Sequence, residues 1–230
     1  MLTLGIETAS DVCAVAVVRD GQPVVDLAVL AARSHATRLA PLVGEALAHA
    51  GARPADLDAI AVSAGPGSYT GLRIGLSLAK GLCLTTGASL VAVPTLDAFA
   101  DAARDVADAG DAVVVAARSR RGEIYGAAFE RRSGELVETR PSAPVALADL
   151  PAWCPSAART WVLGEAADAV LNVLGASARR VRTRASALPV ALRGAEQAAA
   201  GQTVDVAGFE PEYLKPFEAT QPRAIFPQAP

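Results

Sequence analysis

The chain has 230 residues, 52% of them apolar but only 4% aromatic, and a formal net charge of −3. That length allows one large domain or two small ones, and the weight of alanine and valine points to a close-packed α/β core rather than an aromatic-rich sandwich. The acidic balance excludes whole-molecule attraction to nucleic acid or an anionic membrane, and no apolar run approaches the roughly 18 residues of a membrane span, so the composition reads as soluble and cytoplasmic.

In chain order, Leu2 to Ile6 reads as a strand that runs into the polar turn Glu7-Thr8-Ala9-Ser10-Asp11. Val12 to Val18 is a second apolar strand, and Asp20-Gly21 is a hairpin signal. Pro23 to Val29 is a third strand, its proline tolerable at the first position. Ser34 to Ala50 follows as a helix, because Leu39, Leu42, Val43, Ala46, Leu47 and Ala50 recur at helical spacing. Gly51 ends it, and Pro41 is expected to bend its first turns or delay its start.

Residues 59–64 form an apolar strand that enters Gly65-Pro66-Gly67-Ser68-Tyr69-Thr70-Gly71-Leu72-Arg73-Ile74-Gly75. Strand, glycine turn and capped helix start together form the geometry that offers backbone N–H groups to an anion. The Walker lysine is missing. Helix 70–86 carries Gly71, Gly75 and Ala79 on one side, and a glycine inside a helix costs about 1 kcal/mol relative to alanine. The stripe therefore marks a close backbone approach, and the segment is either a phosphate cradle or a docking face. Ser68 reads as the helix cap, since its surroundings do not form a G-x-S-x-G elbow.

A strand at 90–93 and a helix from Pro94-Thr95 complete the first half. That helix has Leu96, Phe99, Ala100, Ala103 and Val106 on one side and Asp97, Asp101, Asp105 and Asp108 on an exposed face. The pattern then restarts with strands at 112–117, 123–129, 136–145 and 161–164 and helices at 165–174 and 189–200. The proline-bearing tail reads as irregular. Three strands in a meander followed by strand–helix crossovers is the order of the actin/sugar-kinase/Hsp70 half-domain, with its ribonuclease H-like mixed sheet. The chain divides into an N-terminal lobe, 1–108, that carries the docking helices, and a shorter C-terminal lobe, 109–230. Residues 118–193 hold twelve arginines against seven acids. The runs Arg118, Arg120, Arg121 and Arg179, Arg180, Arg182, Arg184 are either a solvated face or an RNA-facing patch.

Several strings are similar to the TsaB family: Leu4-Gly5-Ile6-Glu7-Thr8-Ala9-Ser10, Ser34-His35 with Leu39-Ala40-Pro41-Leu42, and the Gly65–Gly75 string. Val93-Pro94-Thr95-Leu96, Arg120 with Gly122-Glu123-Ile124-Tyr125, and Pro211-Glu212-Tyr213-Leu214-Lys215-Pro216 complete the set. The resemblance implies a two-lobed actin-like fold and a scaffolding, non-catalytic subunit. Its implied partner is TsaD, which carries the metal and transfers threonylcarbamoyl to the adenosine beside the anticodon of tRNA. It further implies an ATPase partner, TsaE, a homodimer when the chain is alone, and tRNA reached only through the complex. Arg118 stands where the family usually has aspartate, and Lys215 where it has arginine.

The chemistry-bearing residues are few. His35 and His49, the two histidines, have no HxxxH or HExxH spacing and cannot share a metal within one helix, so no metal of its own is expected. Cys13, Cys83 and Cys154 imply no disulfide framework. Glu7, Thr8 and Ser10 occupy the first-hairpin place of actin-like ATPases, which leaves room for ATP or ADP at a site shared with a partner. The expected partner face takes in His35, Leu39, Leu42, Gly71, Leu72, Gly75 and Ala79, and Gly75 substituted by a bulky residue is expected to lose TsaD and keep its fold. An autonomous ATPase or kinase and a metallopeptidase stand as alternatives.

Overall fold

The computed structural model describes residues 1–30, 34–183 and 186–215. Arg184 of the second arginine run and the tail from Pro216 lie outside the described residues.

The chain opens with a meander of β1 (Leu2–Glu7), β2 (Val12–Arg19) and β3 (Gln22–Leu30). Asp20 and Gly21 make the first turn with positive φ of 52° and 75°, the conformation that matches strand twist in a two-residue hairpin. Two parallel strands extend the sheet on the far side of β1: β4 (Ala59–Ser63) and β5 (Ser89–Val93). The order is β3-β2-β1-β4-β5.

Helices α1 (His35–His49) and α2 (Tyr69–Thr86) cover one face of this sheet. The α1 helix starts at His35 and continues through Pro41 without interruption, so the expected late start does not occur. Leu4, Ile6, Val15, Val17 and Ile60 meet Leu39, Leu42, Val43 and Leu47 in one cluster. Each such buried side chain contributes about 1.5–3 kcal/mol.

The second half repeats the plan. Strands β6 (Ala112–Arg118), β7 (Glu123–Arg132) and β8 (Glu135–Ala146) form a meander, followed by the short helix α4 (Leu150–Trp153) and β9 (Thr160–Leu163). Helix α5 (Ala167–Leu174) then leads to β10 (Ala178–Arg180). The order β10-β9-β6-β7-β8 is that of the first sheet reproduced strand for strand.

The sheets divide between β5 and β6, but the chain does not stay divided at residue 108. Helix α6 (Leu188–Ala199) returns from the second half and covers the other face of the first sheet. A Cβ on Gly5 would stand 2.6 Å from the Ala191 Cβ, and one on Gly194 would overlap Ala61. These glycines let helix and sheet approach closely. Residues 201–215 follow onto the same lobe, where Val204 bridges to Leu90. The lobe assignment by sequence halves is corrected to that extent.

Helix α3 (Thr95–Ala100), prolonged by a 3-10 turn at Asp101–Ala103, sits between the two sheets. Leu96 and Ala100 pack on Val113, Val115 and Ala127, while Ala98 faces Val91 and Val190. The four aspartates do not share one solvated face. Asp101 bonds the Arg193 guanidinium through both its oxygens, at 2.6 and 2.9 Å, and also pairs with Arg104.

Candidate functional site

The glycine turn after β4 is tied into its own chain. Ser68 caps α2 through its hydroxyl, which accepts the Gly71 N–H at 3.2 Å. The turn's own amides face inward: Gly65 N–H donates to Thr95 Oγ1 at 3.0 Å and Ser68 N–H to the Ala9 carbonyl at 2.7 Å. A Cβ on Gly67 would stand 2.6 Å from the Ala9 carbonyl, and one on Gly65 would overlap the Glu212 carbonyl.

The stripe below the turn answers to the same neighbour. A Cβ on Gly71 would overlap the Thr8 carbonyl, and one on Gly75 the Thr8 hydroxyl. That hydroxyl donates to the Gly71 carbonyl at 2.8 Å. Leu72 and Ala79 are fully buried. The expected docking stripe of Gly71, Leu72, Gly75 and Ala79 is thus corrected: these residues are small or apolar because α2 lies against the end of β1.

Of the remaining expected face, Leu42 is in the core. His35 is buried, and its Nε2 donates to the Val12 carbonyl at 2.9 Å. Leu39, though buried, floors an outer groove of about 540 Å³ between α1 and α2. Ala36 and Ala40 line it from α1, and Tyr69, Arg73, Ile74 and Leu78 from α2.

Each of the two helices carries a stripe of small residues on its outward side. On α1 these are Ala36, Ala40, Gly44 and Ala48, and on α2 Ser77, Gly81 and Thr85; all are exposed. A Cβ on Gly44 or on Gly81 would meet nothing within 4 Å, so no contact among the described residues accounts for either glycine. Sequence spacing grouped Gly71, Gly75 and Ala79 on one side of α2 but took the side that meets the sheet for the outer one. The signal that separates the two stripes is Arg73, Ser77 and Gly81, four apart and polar enough to mark the water side.

Glu7 and Ser10 line a cleft of about 830 Å³ between the lobes, whereas Thr8 does not: its hydroxyl is turned to the Gly71 carbonyl of α2. Glu7 is buried, accepts the Ser10 N–H at 3.1 Å and takes a hydrogen bond from Ser63. Burial pushes its carboxyl up to about 7, against the opposing pull of the Ser63 and Ser10 bonds. Across the cleft, Asp11 N–H donates to Glu165 at 2.6 Å and Arg118 pairs with Asp11.

Lys215 pairs with Glu123, and this bond, joined by one from Ser119, holds the Glu123 carboxyl below its ordinary value. Both departures from the family pattern, Arg118 and Lys215, are therefore cationic ends of ion pairs that tie segments distant in sequence. The described residues contain no group of three or more His, Cys, Asp or Glu side chains placed to hold a metal ion, and His35 and His49 stand at opposite ends of α1. No described helix is long and apolar enough to cross a membrane.

Two lobes with one repeated strand order, joined through α3 and α6, define a protein of the actin-like ATPase and sugar-kinase fold. A family model described as TsaD, tRNA N6-adenosine threonylcarbamoyltransferase, matches residues 29–151, more than half of the chain. The Escherichia coli K12 tRNA threonylcarbamoyladenosine biosynthesis protein TsaB is 36% identical over 131 residues, 57% of this chain and 56% of that one. A tRNA N6-adenosine threonylcarbamoyltransferase of Solidesulfovibrio magneticus is 43% identical over 125 residues, 46% of this chain and 34% of that one. The matched stretch thus spans about half or less of these curated relatives. A solved Pseudomonas aeruginosa chain, described as an uncharacterized protein with similarity to peptidase YeaZ, superposes with a TM-score of 0.78 at 25% identity. It covers 93% of this chain and 99% of its own length. The chain belongs to the family of the matching model, among its TsaB-like members.

Proposed function

We propose that this chain is the TsaB-type subunit of the machinery that makes threonylcarbamoyladenosine in tRNA, and that it docks a TsaD partner rather than carrying out the transfer itself. The observation that carries this reading is the outward face of α1 and α2. At two helical glycines there, Gly44 and Gly81, a Cβ would meet no other described residue, and each costs its helix about 1 kcal/mol. A second pair of helices packing closely on that face gives the cost a purpose, because small residues let helix axes approach. TsaE then acts on the assembled pair, tRNA is reached through the complex, and the isolated chain pairs with a second copy through the same face. The two imidazoles, about 20 Å apart along α1, supply no shared metal site for transfer chemistry.

The test is co-purification with the TsaD of the same organism. Gly44→Leu and Gly81→Leu are expected to melt no lower than the parent and to lose TsaD, whereas Gly75→Leu loses the fold. Reconstituted threonylcarbamoylation of tRNA should require both chains. Transfer by this chain alone, or unchanged TsaD capture by both leucine variants, overturns the proposal.

A second reading, an autonomous or partner-shared ATP or ADP site, has the interlobe cleft and Glu7 in its favour. The hairpin amides of Ser10 and Asp11 already serve Glu7 and Glu165, which weighs against a phosphate there. ATP turnover by the isolated chain is the discriminating measurement.

A further inference from the structure

Among the described residues lining the α1/α2 groove, Arg73 alone is charged. Its guanidinium carbon lies 4.3 Å from the Tyr69 ring centre and 5.9 Å from that of Tyr213. The two rings are themselves 4.8 Å apart. Arg73 Nε donates to the Tyr213 hydroxyl at 3.1 Å. The terminal nitrogens carry most of the guanidinium's N–H donors; among the described residues they bond no carboxylate, and Glu210 of the same chain acts on Arg73 through its charge without a hydrogen bond.

Tyr213 is delivered by a strap that begins after α6. Phe209 of the strap packs on the core of the first lobe, Lys80 donates to the Ala207 carbonyl at 2.9 Å, and Glu212 N–H donates to the Ala64 carbonyl at 2.7 Å. Beyond Tyr213, Lys215 pairs with Glu123. The strap is therefore anchored on both sides of the tyrosine. A guanidinium held over two rings gives up little side-chain freedom when it meets a partner. Tyrosine and arginine clustered at the edge of an apolar groove is the composition that dominates binding energy at protein interfaces.

We propose that Arg73, presented by Tyr69 and the strap residue Tyr213, reads a carboxylate on the partner helix that enters the α1/α2 groove. The inference rests on the docking reading above. It commits to the occupant proposed there, a TsaD chain, and adds that the occupant carries an aspartate or glutamate opposite Arg73. Covering a guanidinium whose terminal N–H groups bond no carboxylate with an apolar surface is unfavourable, whereas a partner carboxylate meets its planar fork with two parallel bonds. Tyr213 is a positioning residue in this scheme. A second copy of this chain offers a different carboxylate, Glu45, on its own exposed α1 face.

Binding to the TsaD of the same organism, measured by calorimetry on full-length chains, tests this. Arg73→Glu is expected to weaken binding at least about tenfold, the loss typical of a truncated interface hot spot. One aspartate or glutamate of TsaD, changed to arginine, should restore it. Tyr213→Phe should reduce the coupling between Arg73 and that carboxylate while leaving the melting temperature in place. Unchanged affinity of Arg73→Glu, or failure of every single TsaD reversal to rescue it, overturns the inference. So does an effect confined to self-association and abolished by Glu45→Gln. If Gly44→Leu and Gly81→Leu also bind TsaD normally, the docking reading itself falls; if they lose TsaD while Arg73→Glu does not, only the carboxylate pairing falls.

Discussion

Glu7 is a carboxylate at the buried end of a central strand, with hydrogen-bond donors from Ser63 and Ser10 that favour its charged form and a burial cost that outweighs them. Its folded value of about 7 lies above the ordinary 4.5. Between these two values the folded protein keeps a proton that the unfolded chain releases. The contribution of Glu7 to stability is therefore full below about pH 4.5, falls as pH rises, and is lost above about pH 7. A shift of this size is worth about 3 kcal/mol. Urea midpoints near pH 5 and pH 8 should show a fall in the parent that Glu7→Gln lacks; equal falls in both proteins would assign the slope to other groups. Arg118 is a different case. It is well exposed, as is its partner Asp11, so that pair contributes at most about 1 kcal/mol.

The helix α2 holds two kinds of glycine, and its two sides give opposite predictions. Gly71 and Gly75 have no room for a Cβ because Thr8 occupies the space. Gly81 on α2, and Gly44 on α1, have room and no neighbour. Gly44→Ala and Gly81→Ala should each raise stability by about 1 kcal/mol through helix propensity alone. Differential scanning calorimetry should register the gain as a higher melting temperature, and TsaD capture should weaken in the same variants if the missing methyl groups are what a partner needs absent. Periodicity alone could not tell these glycines apart. Gly71, Gly75 and Ala79 stand at i, i+4 and i+8, and so do Ser77, Gly81 and Thr85. Helix spacing fixes which residues share a side but not which side meets the sheet. The strands of both meanders, the Asp20-Gly21 turn and the Ser68 cap were legible because alternation, turn chemistry and capping are local. The four-residue α4 and three-residue β10 are too short to carry a period.

At the scale of the molecule, the repeated strand order was legible from the order of elements, and the return of α6 was not. An alanine-rich helix near residue 190 looks, in sequence, like a member of the second lobe. It packs on the first because Ala191 and Gly194 fit Gly5 and Ala61, a match between segments almost the whole chain apart. β1 and β4 are buried throughout only because α1 and α2 cover one face and α6 the other. Removing α6 would bare Ala14, Ala16, Val18, Ala59, Ala61 and Val91, which form two apolar clusters with it. Exposed apolar faces of that size drive association. A fragment ending at residue 108 should therefore be insoluble or aggregate. The same fragment fused through a flexible linker to residues 186–215 should be soluble and show cooperative unfolding in urea, since the helix and strap restore the missing layer. A soluble, cooperatively folded 1–108 fragment would mean that α6 is dispensable to the first lobe. It would also move the boundary of that lobe back to the junction between the sheets.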